Sequence, residues 1–255
     1  MVSNNQNPAQ NEREPFLFGD RARILDIRND LVFKAVFIRD TADSRAALSD
    51  LISTLIKRNV AVETIVVKKP SLDFPQHKKF RYDITCRSED GKLVNVELAF
   101  HDIDEDMGMA EYFVTKLFLG EDTQDIDEFL ANVKDTYQIS IIDQKSYYPD
   151  KSLTHTFQLC DPKTKISLNG NIRIITLELE KTEDIIDKPI EEMTNIERWA
   201  AYFQYLTNES KREKIIEIIN REEGITMAMK TLCQIMADEK EYARLTGLMK
   251  SELKV

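Results

Sequence analysis

The chain has 255 residues, 35 Lys and Arg against 45 Asp and Glu, a formal charge of −10, and 42% hydrophobic residues. That balance fits a soluble globular protein with a sizeable core and excludes fibrous or mainly disordered chains; any nucleic-acid surface must be a local basic patch. Cys86, Cys160 and Cys233 are odd in number and lack CxxC spacing, so a disulfide framework and a zinc site are both unsupported, and reduced thiols in a cytoplasmic protein are expected.

In chain order, residues 1–20 read as a polar tail with no apolar signal core, and no later run reaches membrane-spanning length. From Asp30, Phe33, Val36 and Phe37 recur at helical spacing, with Asp30 expected to cap the helix or, second, to line a site. Leu48, Leu51, Ile52, Leu55 and Ile56 predict a second helix, and the β-branched stretch 60–68 predicts a strand. Pro70 and Pro75 mark a loop. Strands are expected at 133–143, 153–160 and 172–179, and a helix over 108–120. From about Asp187 the pattern is helical, with Trp199, Tyr202 and Phe203 as core and Gly224 as the expected break between helices. Helices, a mixed sheet and a helical tail indicate an α/β core over 21–186 with a C-terminal α-helical extension over 187–255.

The most informative stretch is 80–100, FRYDITCRSEDGKLVNVELAF. It reads as two strands joined at Asp90-Gly91, each with one acidic residue in an apolar-alternating run, Asp83 and Glu97. A mid-strand carboxylate is disfavoured by propensity and by burial, so the pair invites a functional explanation. A type I turn over Ser88–Gly91 with Gly91 left-handed sets Ser88 opposite Lys92 and Asp83 opposite Glu97. A two-residue loop would instead send Glu97 to the other face. With the longer loop the two carboxylates can hold a hard cation such as Mg2+; two solvated charges on a sheet face are the plainer alternative.

Several landmarks in order resemble the PD-(D/E)XK nuclease superfamily, in particular its recombination-promoting nuclease and transposase family. They are Asp30-Leu-Val-Phe33-Lys34-Ala-Val-Phe37; Tyr82-Asp83-Ile84, then Asp90-Gly91 and Val94-Asn95-Val96-Glu97-Leu98; Tyr112-Phe113 with Lys116-Leu117; Leu177 to Lys181; and Ile196 to Trp199 with Tyr202-Phe203. The resemblance covers roughly residues 27–250. It implies a restriction-endonuclease-like mixed sheet flanked by helices and Mg2+- or Mn2+-dependent hydrolysis of DNA phosphodiesters. Carried over position by position, Asp83 and Glu97 are the metal-binding carboxylates.

The family's next position, two residues after the Glu, is normally Lys or Gln, and here it is Ala99; Tyr82 stands where the name-giving Pro would be. Lys34 is then the candidate for the missing cation, and His101, on the strand face of Glu97, is a weaker one. Lys68, Lys69, Lys78, Lys79 and Arg81 form a basic stretch able to follow a phosphate backbone without reading sequence, while the acidic segment 101–106 would repel one. The expectation is a DNA endonuclease; the alternative is a catalytically degenerate nuclease fold that binds DNA or protein. The Met-bearing helical tail is expected to pack, or to join a second copy of the chain.

Overall fold

In the computed structural model, residues 24–68, 81–101, 108–119, 126–127, 133–143, 146–168 and 170–252 are described, those at 68, 81, 83, 97, 101, 251 and 252 through the backbone alone. The expected tail over 1–20, the segment 102–106, and Lys69, Lys78 and Lys79 lie outside the described residues.

Helix α1 (Asp30–Phe37) starts because the Asn29 side chain accepts the Leu31 and Val32 amides at 3.0 and 3.4 Å. Asn29, not the expected Asp30, is therefore the cap. Asp30 is the first helical residue, where a negative charge suits the helix dipole. Val32, Phe33, Val36 and Phe37 form its buried stripe. Helix α2 (Ala42–Ile56) is capped by Thr41 and stops at Lys57, which is left-handed with φ 55°.

Strand β1 (Val60–Lys68) pairs with β2 (Arg81–Ser88), and β2 with β3 (Leu93–His101), both antiparallel. β3 runs parallel to β4 (Asp135–Ile142), which runs parallel to β6 (Ile172–Glu178); β5 (Thr154–Gln158) closes one edge antiparallel to β6. Among the described residues the order is β1-β2-β3-β4-β6-β5, a mixed sheet flanked by helices, as the sequence predicts. The register of β1 shifts between Val62 and Thr64. This bulge changes the inward phase, so Val60 and Val62 join the core before it and Ile65 and Val67 after it.

One sheet face is apolar: Tyr82, Ile84 and Cys86 on β2, Val94, Val96, Leu98 and Phe100 on β3, Tyr137, Ile139 and Ile141 on β4. Against it pack α1, α2, α4 (Asn195–Tyr205) and α6 (Glu223–Ala237) in one continuous core. Phe33 stands at its centre, with ring centroids 5.4 Å from Tyr82, 5.2 Å from Phe100 and 4.5 Å from Phe37. Trp199 and Phe203 extend the cluster, and Tyr202 is equally buried, so these three are packing residues. Met229 is fully buried and Met227 and Met236 pack at the core margin. Each large apolar side chain removed from water contributes about 1.5–3 kcal/mol, so the α1–sheet–α4 cluster is what fixes the hairpin to the helices.

The opposite face is covered by α3 (Gly108–Leu119), which contacts β3, β4 and β6 through a separate buried set that includes Ala110, Phe113 and Val114. The remaining helices are α5 (Arg212–Arg221) and α7 (Glu239–Glu252). The break before α6 falls at Glu222, while Gly224 lies inside the first turn of α6, contrary to expectation. Gly224 is required for space: a side chain there would collide with the Asp50 carboxyl on α2.

Candidate active site

The β2–β3 turn has the geometry that sets the register. Gly91 is left-handed at φ 80°, its amide donates to the Ser88 carbonyl at 2.8 Å, and the Ser88 amide donates to the Lys92 carbonyl at 2.9 Å. Arg58, just after α2, ties this turn down: its guanidinium donates to Ser88 Oγ at 2.8 Å, Asp90 Oδ1 at 3.0 Å and Asp135 Oδ2 at 2.8 Å. The Asp90 carboxyl is held below its ordinary range by the Ser88 hydroxyl first, and by the Arg58 guanidinium and the Lys92 amide.

From that turn Asp83 is the direct cross-strand partner of Glu97. Their neighbours Tyr82, Ile84, Val96 and Leu98 belong to the apolar core, so by strand alternation both acidic positions lie on the α3 face. The row continues: Glu97 is level with Gln138 on β4, and Gln138 with Ile174 on β6. The next row along the sheet is Lys68, Arg81, Ala99, Ser140 and Thr176, each in register with the one before. Ala99 is thus flanked by a basic position on one side and a hydroxyl on the other. His101 is on the same face one pleat further on, level with Ile142.

This face is polar although it is buried. Thr136, Gln138, Ser140 and Thr176 are all fully buried. Gln138 Oε1 and Nε2, Ser140 Oγ and Thr176 Oγ1 have no hydrogen-bond partner among the described residues. Sequence reasoning passed over Gln138, although the alternation of Thr136, Gln138 and Ser140 with Tyr137, Ile139 and Ile141 carries the signal. Lys34, by contrast, sits part-buried on α1, the helix that packs through Phe33 and Phe37 on the apolar side of the sheet.

A second cluster of charge closes the β5 end. Glu178, fully buried at the end of β6, accepts the Tyr147 and Tyr148 amides at 2.6 and 3.1 Å and the Lys181 ammonium at 2.6 Å. His155 on β5 lies 2.8 Å from Asp150 through Nε2 and 3.5 Å from Glu178 through Nδ1. Its bond holds the Asp150 carboxyl below the usual range. An open cleft of about 460 Å3 lies beside it, lined by Tyr147, Tyr148, Asp150, Lys181 and Asp184 among others. Every strong contact of Glu178 is to its own loop and turn, so this cluster pins the edge strand and the 146–151 segment.

A family model described as PD-(D/E)XK nuclease family transposase matches residues 27–253. The chain belongs to this family. The match takes in the helix α1, the carboxylate hairpin and the C-terminal helices together. No curated protein and no solved structure matches the chain.

For a member of this nuclease family transposase group, the test of a metal site is whether the donors converge. Asp83 and Glu97 stand in direct register at positions of one sheet face, with the buried Gln138 level with Glu97 on the next strand. Among the described side chains no group of three or more His, Cys, Asp or Glu could hold a metal ion. Asp83 and Glu97, in direct register, are the residues that could hold one, since carboxylate oxygens suit a hard cation such as Mg2+. Among the described residues no helix is long and apolar enough to cross a membrane. Burial pushes the Cys86 thiol up to about 12, with Glu63 adding to the effect, so it is a packing residue and not a nucleophile.

Proposed function

We propose that the protein is a Mg2+- or Mn2+-dependent DNA endonuclease of the type associated with recombination and transposition. The observation that carries this reading is the direct pairing of Asp83 with Glu97 across β2 and β3. Paired residues have Cβ atoms about 4.5–5.5 Å apart, close enough for two carboxylates to share one hard cation. The cation supplies Lewis-acid polarisation of a phosphoryl oxygen and a bound water of lowered pKa.

The residues of the chain supply the rest. Asp83 and Glu97 hold the cation and fix where the scissile phosphate sits. Arg81 and Lys68, level with Ala99 in the adjacent row, offset phosphate charge that Ala99 cannot. Lys69, Lys78 and Lys79 continue the same basic stretch and hold the DNA backbone by charge. Lys34 sits on a helix packed against the apolar side of the sheet, away from the face of the carboxylate pair, and charge stabilisation falls to Arg81 and Lys68 instead. The net charge of −10 confines DNA to this local surface.

Ala99 favours a second reading, a degenerate nuclease fold that binds without cutting. Supercoiled plasmid with Mg2+ or Mn2+, beside Asp83→Ala and Glu97→Ala, separates the two. Nicking by the wild type that both variants lose by at least about 10²-fold supports the enzyme. DNA retention without nicking supports the binding module, and nicking indifferent to both substitutions defeats the proposal.

A further inference from the structure

Resting on the endonuclease reading, we propose that Gln138 is a third member of the active site, whose carboxamide binds and orients the attacking water. Three observations meet at this residue. It is level with Glu97 on the neighbouring parallel strand, so the row across three strands runs Asp83, Glu97, Gln138. It is fully buried, and neither Oε1 nor Nε2 has a partner among the described residues. The hydroxyls of Ser140 and Thr176, on the same face in the adjacent row, are likewise buried without partners among the described residues.

A buried carboxamide that makes no hydrogen bond costs stability, and a Met of similar size would remove that cost. The cost is repaid when the amide meets a group that belongs to the working site. A neutral carboxamide does not take a proton, so it is no general base. Its Oε1 can accept from a water held beside the carboxylate pair, while Nε2 donates to a phosphoryl oxygen or hydroxide. Buried water in proteins is held by two to four polar partners, and Ser140 provides a further one here. Orientation of this kind is the role that Ala99 is unable to fill from β3. The water oxygen attacks phosphorus and gives its proton to solvent, while the P–O bond to the leaving oxygen breaks, that oxygen keeping the electron pair and taking a proton from solvent. Gln138 remains unchanged throughout.

The test is Gln138→Met in the full chain, read three ways: melting temperature, Mn2+ binding by calorimetry, and plasmid nicking. The expected result is a melting temperature equal to or higher than wild type, Mn2+ affinity within about three-fold, and a nicking rate reduced about 10²-fold, the size of losing one oriented donor. Nicking unchanged in Gln138→Met, with the wild type still dependent on Asp83 and Glu97, overturns the role of Gln138 and leaves the endonuclease reading intact. A lower melting temperature together with lost Mn2+ binding identifies a structural residue and also overturns it. A wild type with no Asp83- and Glu97-dependent nicking or Mn2+ binding removes both proposals together.

Discussion

The indole N–H of Trp199 on α4 donates to the carboxylate of Asp50 on α2 at 2.8 Å, in the space left by the missing side chain of Gly224 on α6. One carboxyl group thus joins three helices, and the absence of a Cβ at Gly224 is what lets α6 approach. Gly224→Ala must displace Asp50 or separate the helices. It is expected to cost about 1–3 kcal/mol by overpacking, seen in thermal unfolding as a drop of about 2–4 °C per kcal/mol for a chain of this size. An unchanged melting temperature would show that Asp50 moves aside freely.

Asp50 also gives stability a pH dependence. Burial pushes its carboxyl above the ordinary value of 3.8; the Trp199 N–H opposes that shift and Glu223 reinforces it. A carboxyl that holds its proton more tightly in the folded chain than in the unfolded one makes stability fall as pH rises from 3.8 through the raised folded value. Asp50→Asn keeps an acceptor for Trp199 but does not titrate. Its melting temperature should gain on wild type between about pH 3 and about pH 7; a pH-independent difference would contradict the assignment.

Arg58 joins the β2–β3 turn to the start of β4. Arg58→Ala should lower the melting temperature by about 2–4 °C and speed amide exchange in 87–92 more than in the α4 helix. The depressed Asp90 carboxyl sets the sign of the pH effect. Stability from that shift is fully present above the ordinary value of 3.8 and disappears as pH falls through the lower folded value. The gap between wild type and Arg58→Ala should therefore narrow in acid, as calorimetry across pH would reveal.

Arg81 is level with Ala99, and under the proposed function it contacts the DNA backbone and not base edges. Arg81→Ala should weaken binding to unrelated duplexes to a similar degree. It should also reduce the slope of log affinity against log salt by about 0.9 for one lost phosphate contact. A loss confined to one DNA sequence, with the slope intact, would argue against that assignment.

Much of this was legible because it is local. The turn register follows from the left-handed requirement at Gly91 and from counting back to Asp83 and forward to Glu97. The stripes of α1 and α2 follow from period alone. The cap of α1 was misplaced by one residue because Asn29 and Asp30 are both good caps, and only the Asn29 oxygen turns back to the amides. Gly224 was misread as a break because its reason is Asp50, distant in sequence and visible only after folding. For Gln138 the alternation in β4 shows only that it faces away from the apolar core; its place beside Glu97 comes from the parallel β3–β4 register, which is visible only after folding.

The loop at Ser88–Lys92 also functions as a ruler. Strand side chains alternate between faces, so inserting or deleting one residue there would turn Glu97 over toward Phe33 and bring an apolar neighbour up in its stead. Both acidic residues would survive in the sequence, yet the proposed cation site would be lost. Turn length is therefore as much a determinant of this chemistry as the carboxylates themselves.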